Sequence, residues 1–190
     1  MNVAIPKLFR WLAAILGLTI ASAAFGANPV VVVETSHGAI KIELFEDKAP
    51  ITVKNFLTYV DEKHYDGTIF HRVMSDFMIQ GGGFDVNSTE RPTHKPIKNE
   101  SDNGLSNKRG TIAMARTKMP DTATAQFFIN VVDNQNLDRS DSDAGYCVFG
   151  RVIEGMETVD SIRKVKVARS AISNAQPLET VEIKSVRRAK

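Results

Sequence analysis

The chain holds one cysteine, Cys147, and one tryptophan, Trp11, among its 190 residues. A single thiol excludes an internal disulfide, so the core must hold the fold unaided. It also lies far from the start of the chain, which excludes a lipid-anchored N-terminus. Charge of one sign is scarce as well: 24 Lys and Arg stand against 22 Asp and Glu, too balanced for a general nucleic-acid or membrane binder. His37, His64, His71 and His94 are scattered without paired spacing, so no metal site is expected. There is no H-E-x-x-H, no G-x-S-x-G and no cysteine beside a candidate base, which excludes the common hydrolase chemistries. The run Gly81-Gly82-Gly83 is not followed by Lys-Ser/Thr and a helix, so it reads as a bend or close backbone approach rather than a phosphate loop. Heptads, internal repeats and low-complexity segments are absent.

Long apolar runs are lacking too. Lys7 and Arg10 precede ten mostly apolar residues at 11–20, and small residues follow at 21–27. A membrane span needs about 20 apolar residues. A basic start, a short apolar stretch and a small-residue exit describe a secretory signal peptide over residues 1–26, cut after Gly26 in preference to Ala23. Removing it leaves 22 basic against 22 acidic residues and no tryptophan. The remaining residues, 27–190, form one domain with a periplasmic destination expected ahead of full secretion. Residues 161–190 hold eight basic and two acidic residues, which reads as a solvated basic tail.

What is present is strand-like. VVVVET at 30–35 and AIKIELF at 39–45 flank a Ser36-His37-Gly38 turn, and Ile40, Ile42 and Leu44 alternate with Lys41 and Glu43 as in a half-buried hairpin. Pro50 opens a helix whose Val53, Phe56, Leu57 and Val60 share one face. Strands are predicted at 110–115, 126–131, 146–152 and 178–186, and a second helix around Met156, Val159 and Ile162. Cys147, inside an apolar run, reads as a small buried thiol. Eight or so short strands with two helices predict a mainly β fold, a closed eight-stranded antiparallel β-barrel capped by two α-helices. Long loops fall at roughly 84–96, 116–125 and 133–145.

The stretch FHRVMSDFMIQGGG at 70–83 carries an arginine in apolar company. Strand periodicity puts Phe70, Arg72 and Met74 on one side, and a Ser75-Asp76 turn returns Met78 and Gln80 to a shared side. A charged fork, an amide and large soft side chains then converge on one surface, suited to a mostly apolar partner with one polar bond.

In FHRV…FMIQGG at 70–82, Met-Ala at 114–115, Q-F-F-I-N at 126–130 and V-F-G at 148–150, taken in that order, the chain resembles the cyclophilin family of peptidyl-prolyl isomerases, specifically the bacterial exported type. The resemblance covers about residues 30–186 and implies the barrel inferred above. It implies that Arg72 is catalytic, that Phe77, Met78, Phe128 and Leu137 surround a proline ring, and that Gln80 and Gln126 make polar contacts. Backbone groups near Ala115, Arg116 and Thr117 would align the peptide, and Tyr146 would form an aromatic wall. The implied partners are Xaa-Pro polypeptides, without cofactor or metal, and the implied state is a monomer. Asn136 stands where eukaryotic members carry tryptophan, Tyr146 where many have histidine, and Arg116 where asparagine is common. The first difference implies weak or no cyclosporin A binding.

The chemistry fits these residue types. Rotation about a peptide C–N bond costs about 18–20 kcal/mol, and Xaa-Pro exchange takes tens to hundreds of seconds. At the twisted midpoint the proline nitrogen regains a lone pair, and a donor placed over it stabilises the twisted amide more than the planar one. Arginine donates without moving a proton, and Gln80 on the same face would steady it. Two other readings stay open: a non-catalytic chaperone or adaptor that binds Pro-peptides in the same groove, and a ligand-carrying barrel. The ten phenylalanines favour a filled interior over the latter.

Overall fold

The computed structural model describes Met1 and residues 27–189, so the expected signal segment, Met1 aside, lies outside the described residues. Among the described residues no helix is long and apolar enough to cross a membrane.

Alternating valines build β1 (Val30–Thr35), which folds back through a two-residue turn onto β2 (Gly38–Leu44). Val31, Val33, Ile40, Ile42 and Leu44 are all fully buried, as the period of two requires. Helix α1 (Pro50–Asp61) follows with Pro50 in its first turn, and Val53, Phe56, Leu57 and Val60 face the core. Two-residue strands β3 (Thr68–Ile69) and β4 (Arg72–Val73) lead to β5 (Met78–Gly81). Then come β6 (Thr111–Met114), β7 (Phe127–Asn130), a 3-10 turn at Gln135–Leu137 and β8 (Val148–Glu154). Helix α2 (Met156–Ile162) precedes a small hairpin, β9 (Val167–Ala168) with β10 (Gln176–Pro177), and β11 (Glu182–Arg188) ends the fold.

One curled antiparallel sheet of nine strands runs β3-β11-β1-β2-β8-β6-β7-β5-β4. The closed eight-stranded barrel expected from the sequence is therefore not met: there is one more strand, and the ladder stays open. The reason lies at its two ends. Edge strands β3 and β4 are consecutive in the chain, separated only by Phe70 and His71, so covalent continuity joins the ends where a shared ladder would close a barrel. Phe70 N–H bonds the Val181 carbonyl and Val73 N–H the Ala175 carbonyl, both at 2.9 Å, so neighbouring loops satisfy the seam.

The last strand begins at Glu182 rather than near 178, because Leu178 N–H bonds the Lys166 carbonyl at 2.8 Å and its side chain stays exposed. Leu178 thus extends the β9–β10 hairpin. Inside the curl, Phe56 meets Tyr65, Phe127 and Phe149 at ring separations of 5.1, 5.7 and 5.2 Å. The interior is packed, as the phenylalanine count implied.

Candidate active site

The strands β4, β5, β7, β6 and β8 carry a second apolar cluster on the face away from the main core. Antiparallel register explains it. Arg72 stands opposite Gln80, Gln80 opposite Phe128, Phe128 opposite Ala113, and Ala113 opposite Val148. Directly opposed residues share a face, so one row crosses five strands and ends in a guanidinium. Met78, Leu137 and Val148 are buried beside this row, while Phe77, Ala115 and Tyr146 pack on it half-exposed.

The face predicted for the 70–74 stretch needs one correction. Phe70 is fully buried in the main core and does not share a side with Arg72. The strand is interrupted: Phe70 and His71 are both buried between β3 and β4, so the alternation restarts at Arg72. Arg72 and Met74 do share the outer side, with Arg72 half-buried.

A pocket of about 110 Å³ opens over the row. Arg72, Phe77, Met78, Gln80, Ala115, Arg116, Phe128, Leu137 and Tyr146 line it, nine of the eleven residues singled out from the sequence. Gln126 lies just behind, and Thr117 lies outside the lining, its hydroxyl 2.8 Å from that of Thr122. The pocket is small beside drug-sized sites of about 300–1,000 Å³, which suits a single ring rather than a carried ligand.

A polar chain fixes the guanidinium. Gln126 Oε1 accepts from Gln80 Nε2 at 2.9 Å, Gln80 Oε1 accepts a long bond from Arg72 Nη1 at 3.4 Å, and Arg72 Nε donates to Asn174 Oδ1 at 3.1 Å. Arg72 Nη2 has no acceptor among the described residues and remains a free donor. Gly83 allows Gln126 its place, since a Cβ there would lie 2.5 Å from the Gln126 amide nitrogen. Gly82 adopts φ +83°, with Tyr65 pressed against it, so the glycine run is the close backbone approach expected.

Arg116 plays a different part. Its Nε donates to the Gly145 carbonyl at 2.9 Å, Nη1 to the Thr117 carbonyl at 3.0 Å and Nη2 to Asp143 Oδ1 at 2.9 Å. The guanidinium lies 4.4 Å from the Tyr146 ring centroid, and only 5% of the side chain is exposed. It ties the loop after β6 to the loop before β8, holding Tyr146 against Phe128, whose ring is 5.6 Å away. Asn136 is exposed on the 3-10 turn, next to Leu137.

Sequence reasoning missed the amides beneath the pocket. Buried Asn134 donates to the Phe77 carbonyl at 2.8 Å and to Asn130 Oδ1 at 2.7 Å. Asn130 donates to Asn107, which in turn donates to the carbonyls of Leu137 and Tyr146. Three asparagines thereby set the height of three pocket walls. Asn174, on the 169–175 loop, was missed as well, and nothing local marks it.

Two buried groups flank the site. His71, behind Arg72, has its pKa pulled down to about 4, first by burial and then by the Arg72 charge. It is neutral at pH 7 and adds no second charge beside the guanidinium. Burial pushes the Cys147 thiol up to about 11. Among the described residues no group of three or more His, Cys, Asp or Glu is placed to hold a metal ion.

Comparison with known proteins bears on the family and the fold. Residues 30–188 match the model of the family described as cyclophilin type peptidyl-prolyl cis-trans isomerase. A peptidyl-prolyl cis-trans isomerase of Acinetobacter baylyi is 52% identical over 179 residues, covering 94% of this chain and 95% of that protein. Peptidyl-prolyl cis-trans isomerase B of Escherichia coli is 54% identical over 160 residues, covering 83% of this chain and 98% of that protein. The crystal structure of a Cryptosporidium parvum cyclophilin type isomerase superposes with a TM-score of 0.72 at 27% identity, covering 86% of this chain and 98% of that one. By sequence and by fold, the chain belongs to the cyclophilin-type peptidyl-prolyl cis-trans isomerase family.

Proposed function

We propose that the protein rotates Xaa-Pro peptide bonds of exported polypeptides, with Arg72 as the catalytic donor. The observation that carries this is the free Nη2 of a guanidinium anchored by Asn174 and Gln80 at the rim of a ring-sized apolar pocket. The proline ring sits on Phe128 between Met78 and Leu137, with Phe77 and Tyr146 at the sides. The flanking backbone runs along Ala115, Arg116 and Thr117, and Gln126 steadies Gln80. As the amide twists, its nitrogen becomes pyramidal and basic, and the Arg72 donor meets it. Every step is a rotation, so neither proton transfer nor covalent intermediate enters.

The export context rests on residues 1–26, read as a signal peptide that directs the domain at 27–190 to the periplasm. The chain works as a monomer, and Asn136 on the 3-10 turn gives cyclosporin A little to hold. The free Arg72 donor favours this reading over a non-catalytic Pro-peptide adaptor, which has no use for a charge aimed at the amide.

Exchange spectroscopy by NMR on a short Ala-Pro peptide tests the activity. Faster cis/trans exchange with catalytic amounts of protein is expected, and peptide binding without acceleration would leave only the adaptor. Expression of the full chain, followed by fractionation and intact mass, tests export: a periplasmic product lacking residues 1–26 is expected.

A further inference from the structure

A second concavity adjoins the pocket. It is a groove of about 630 Å³, walled by the β4–β5 turn on one side and by the segment 163–167 leading into the β9–β10 hairpin on the other. Phe77 lines both the groove and the pocket, so the two lie side by side on either side of its ring. The groove floor is apolar, with Val73, Met74, Val165 and Ala175, while its rim carries Arg163, Lys164 and Lys166 against a single acid, Asp76.

The charges on the rim are not equivalent. Arg163 is occupied, with Nε 2.9 Å from Asp160 Oδ1 and Nη1 donating to the Ser75 carbonyl at 2.8 Å, a bond that sets the groove's width. Lys164 and Lys166 are exposed and make no ion pair among the described residues. The floor is also tied to the catalytic donor. The 169–175 loop that supplies Ala175 also supplies Asn174, which holds Arg72, and Ala175 accepts from Val73 N–H at 2.9 Å. A chain leaving the pocket past Phe77 therefore enters a groove whose wall is already part of the active-site scaffold.

We propose that this groove is a subsite for residues flanking the proline in the same polypeptide, and that it selects acidic ones. The inference rests on the isomerase reading and adds a sequence preference to it. The aliphatic floor takes the backbone and small side chains, and Lys164 and Lys166 meet carboxylates at the rim. Attraction between exposed charges is modest at each pair and screened by salt.

The test compares kcat/KM on three Ala-Pro peptides, flanked on both sides by Ser, by Glu or by Lys, for the wild type and for Lys164→Glu/Lys166→Glu. In low salt the wild type is expected to favour the Glu peptide over the Lys peptide by about fivefold, the size two exposed ion pairs can give. The double variant should lose or invert that preference while turning over the Ser peptide unchanged, and 0.5 M salt should flatten it. Equal rates on the Glu and Lys peptides would overturn the proposal, as would a preference that survives in the double variant. Failure of the wild type on the Ser peptide would instead strike the isomerase reading itself.

Discussion

Replacing Arg72 with alanine removes the guanidinium whose Nη2 stands free at the rim of the pocket, among the described residues. Arg116 also lines the pocket, but bonds to Gly145, Thr117 and Asp143 hold its guanidinium buried against the Tyr146 ring, so it does not swing over to substitute. A lost preorganised donor typically costs about 10²–10³ in rate. Arg72 is half-exposed, and water softens what its charge can do, so the low end applies: about 10²-fold in kcat/KM, or about 2.7 kcal/mol. Arg72→Lys keeps the charge but loses the Nε anchor on Asn174 and the planar fork, and should cost about tenfold.

The assay is cis/trans exchange on an Ala-Pro peptide, with affinity measured on the same peptide by chemical-shift titration. Because the donor acts on the twisted amide, affinity should stay within about threefold while exchange collapses. Stability should hardly move, since Arg72 makes no ion pair among the described residues and is half-exposed outside the main core. An Arg72→Ala protein with exchange within threefold of wild type would refute the reasoning. So would a loss of exchange matched by an equal loss of affinity, which would make Arg72 a binding residue only.

The elements that could be read from the sequence are those whose pattern is local. The β1–β2 hairpin and helix α1 each show their period over a full element, and both appear where expected. Strands β3 and β4 span two residues apiece, too short for a period, and their limits come from where the curl meets itself. Hence simple alternation puts Phe70 on the wrong face and gives no sign of the open ladder. The β9–β10 hairpin, with Val167 exposed and Pro177 in a strand, shows no alternation at all.

The site divides in the same way. Met78, Gln80 and Phe128 sit on strands, so period and register carry them to one row. Arg116 looked like a departure from the family pattern, and its meaning lay in loop residues nearly thirty positions on. Asn107, Asn130 and Asn134 are ordinary residues whose value depends on which carbonyls the fold brings near them. No local signal could announce that, and Asn174 is further still from the arginine it anchors.

Three further outcomes follow from the same contacts. Arg116→Ala frees Tyr146 and two loops without touching the donor, so KM should rise about tenfold with kcat within threefold, read from full substrate titrations. Cys147, buried and held protonated, should resist a thiol reagent at pH 8 in the native protein and react fully in urea. His71 makes stability depend on pH. Its folded-state pKa of about 4 lies below the ordinary 6.5, so between these values the unfolded chain binds the proton first. Stability is therefore intact above pH 6.5, falls as pH drops toward 4, and loses nothing more from this group below that. The gap corresponds to about 3 kcal/mol. Carboxylates such as Asp61 and Asp66, held low by Arg188 and Arg187, also cost stability on acidification, so the wild-type curve alone does not isolate the histidine. The difference from His71→Gln does: urea midpoints should converge on acidification, with the wild type losing about 3 kcal/mol more than the variant between pH 6.5 and 4. Parallel curves would mean that His71 accepts its proton without disturbing the core behind Arg72.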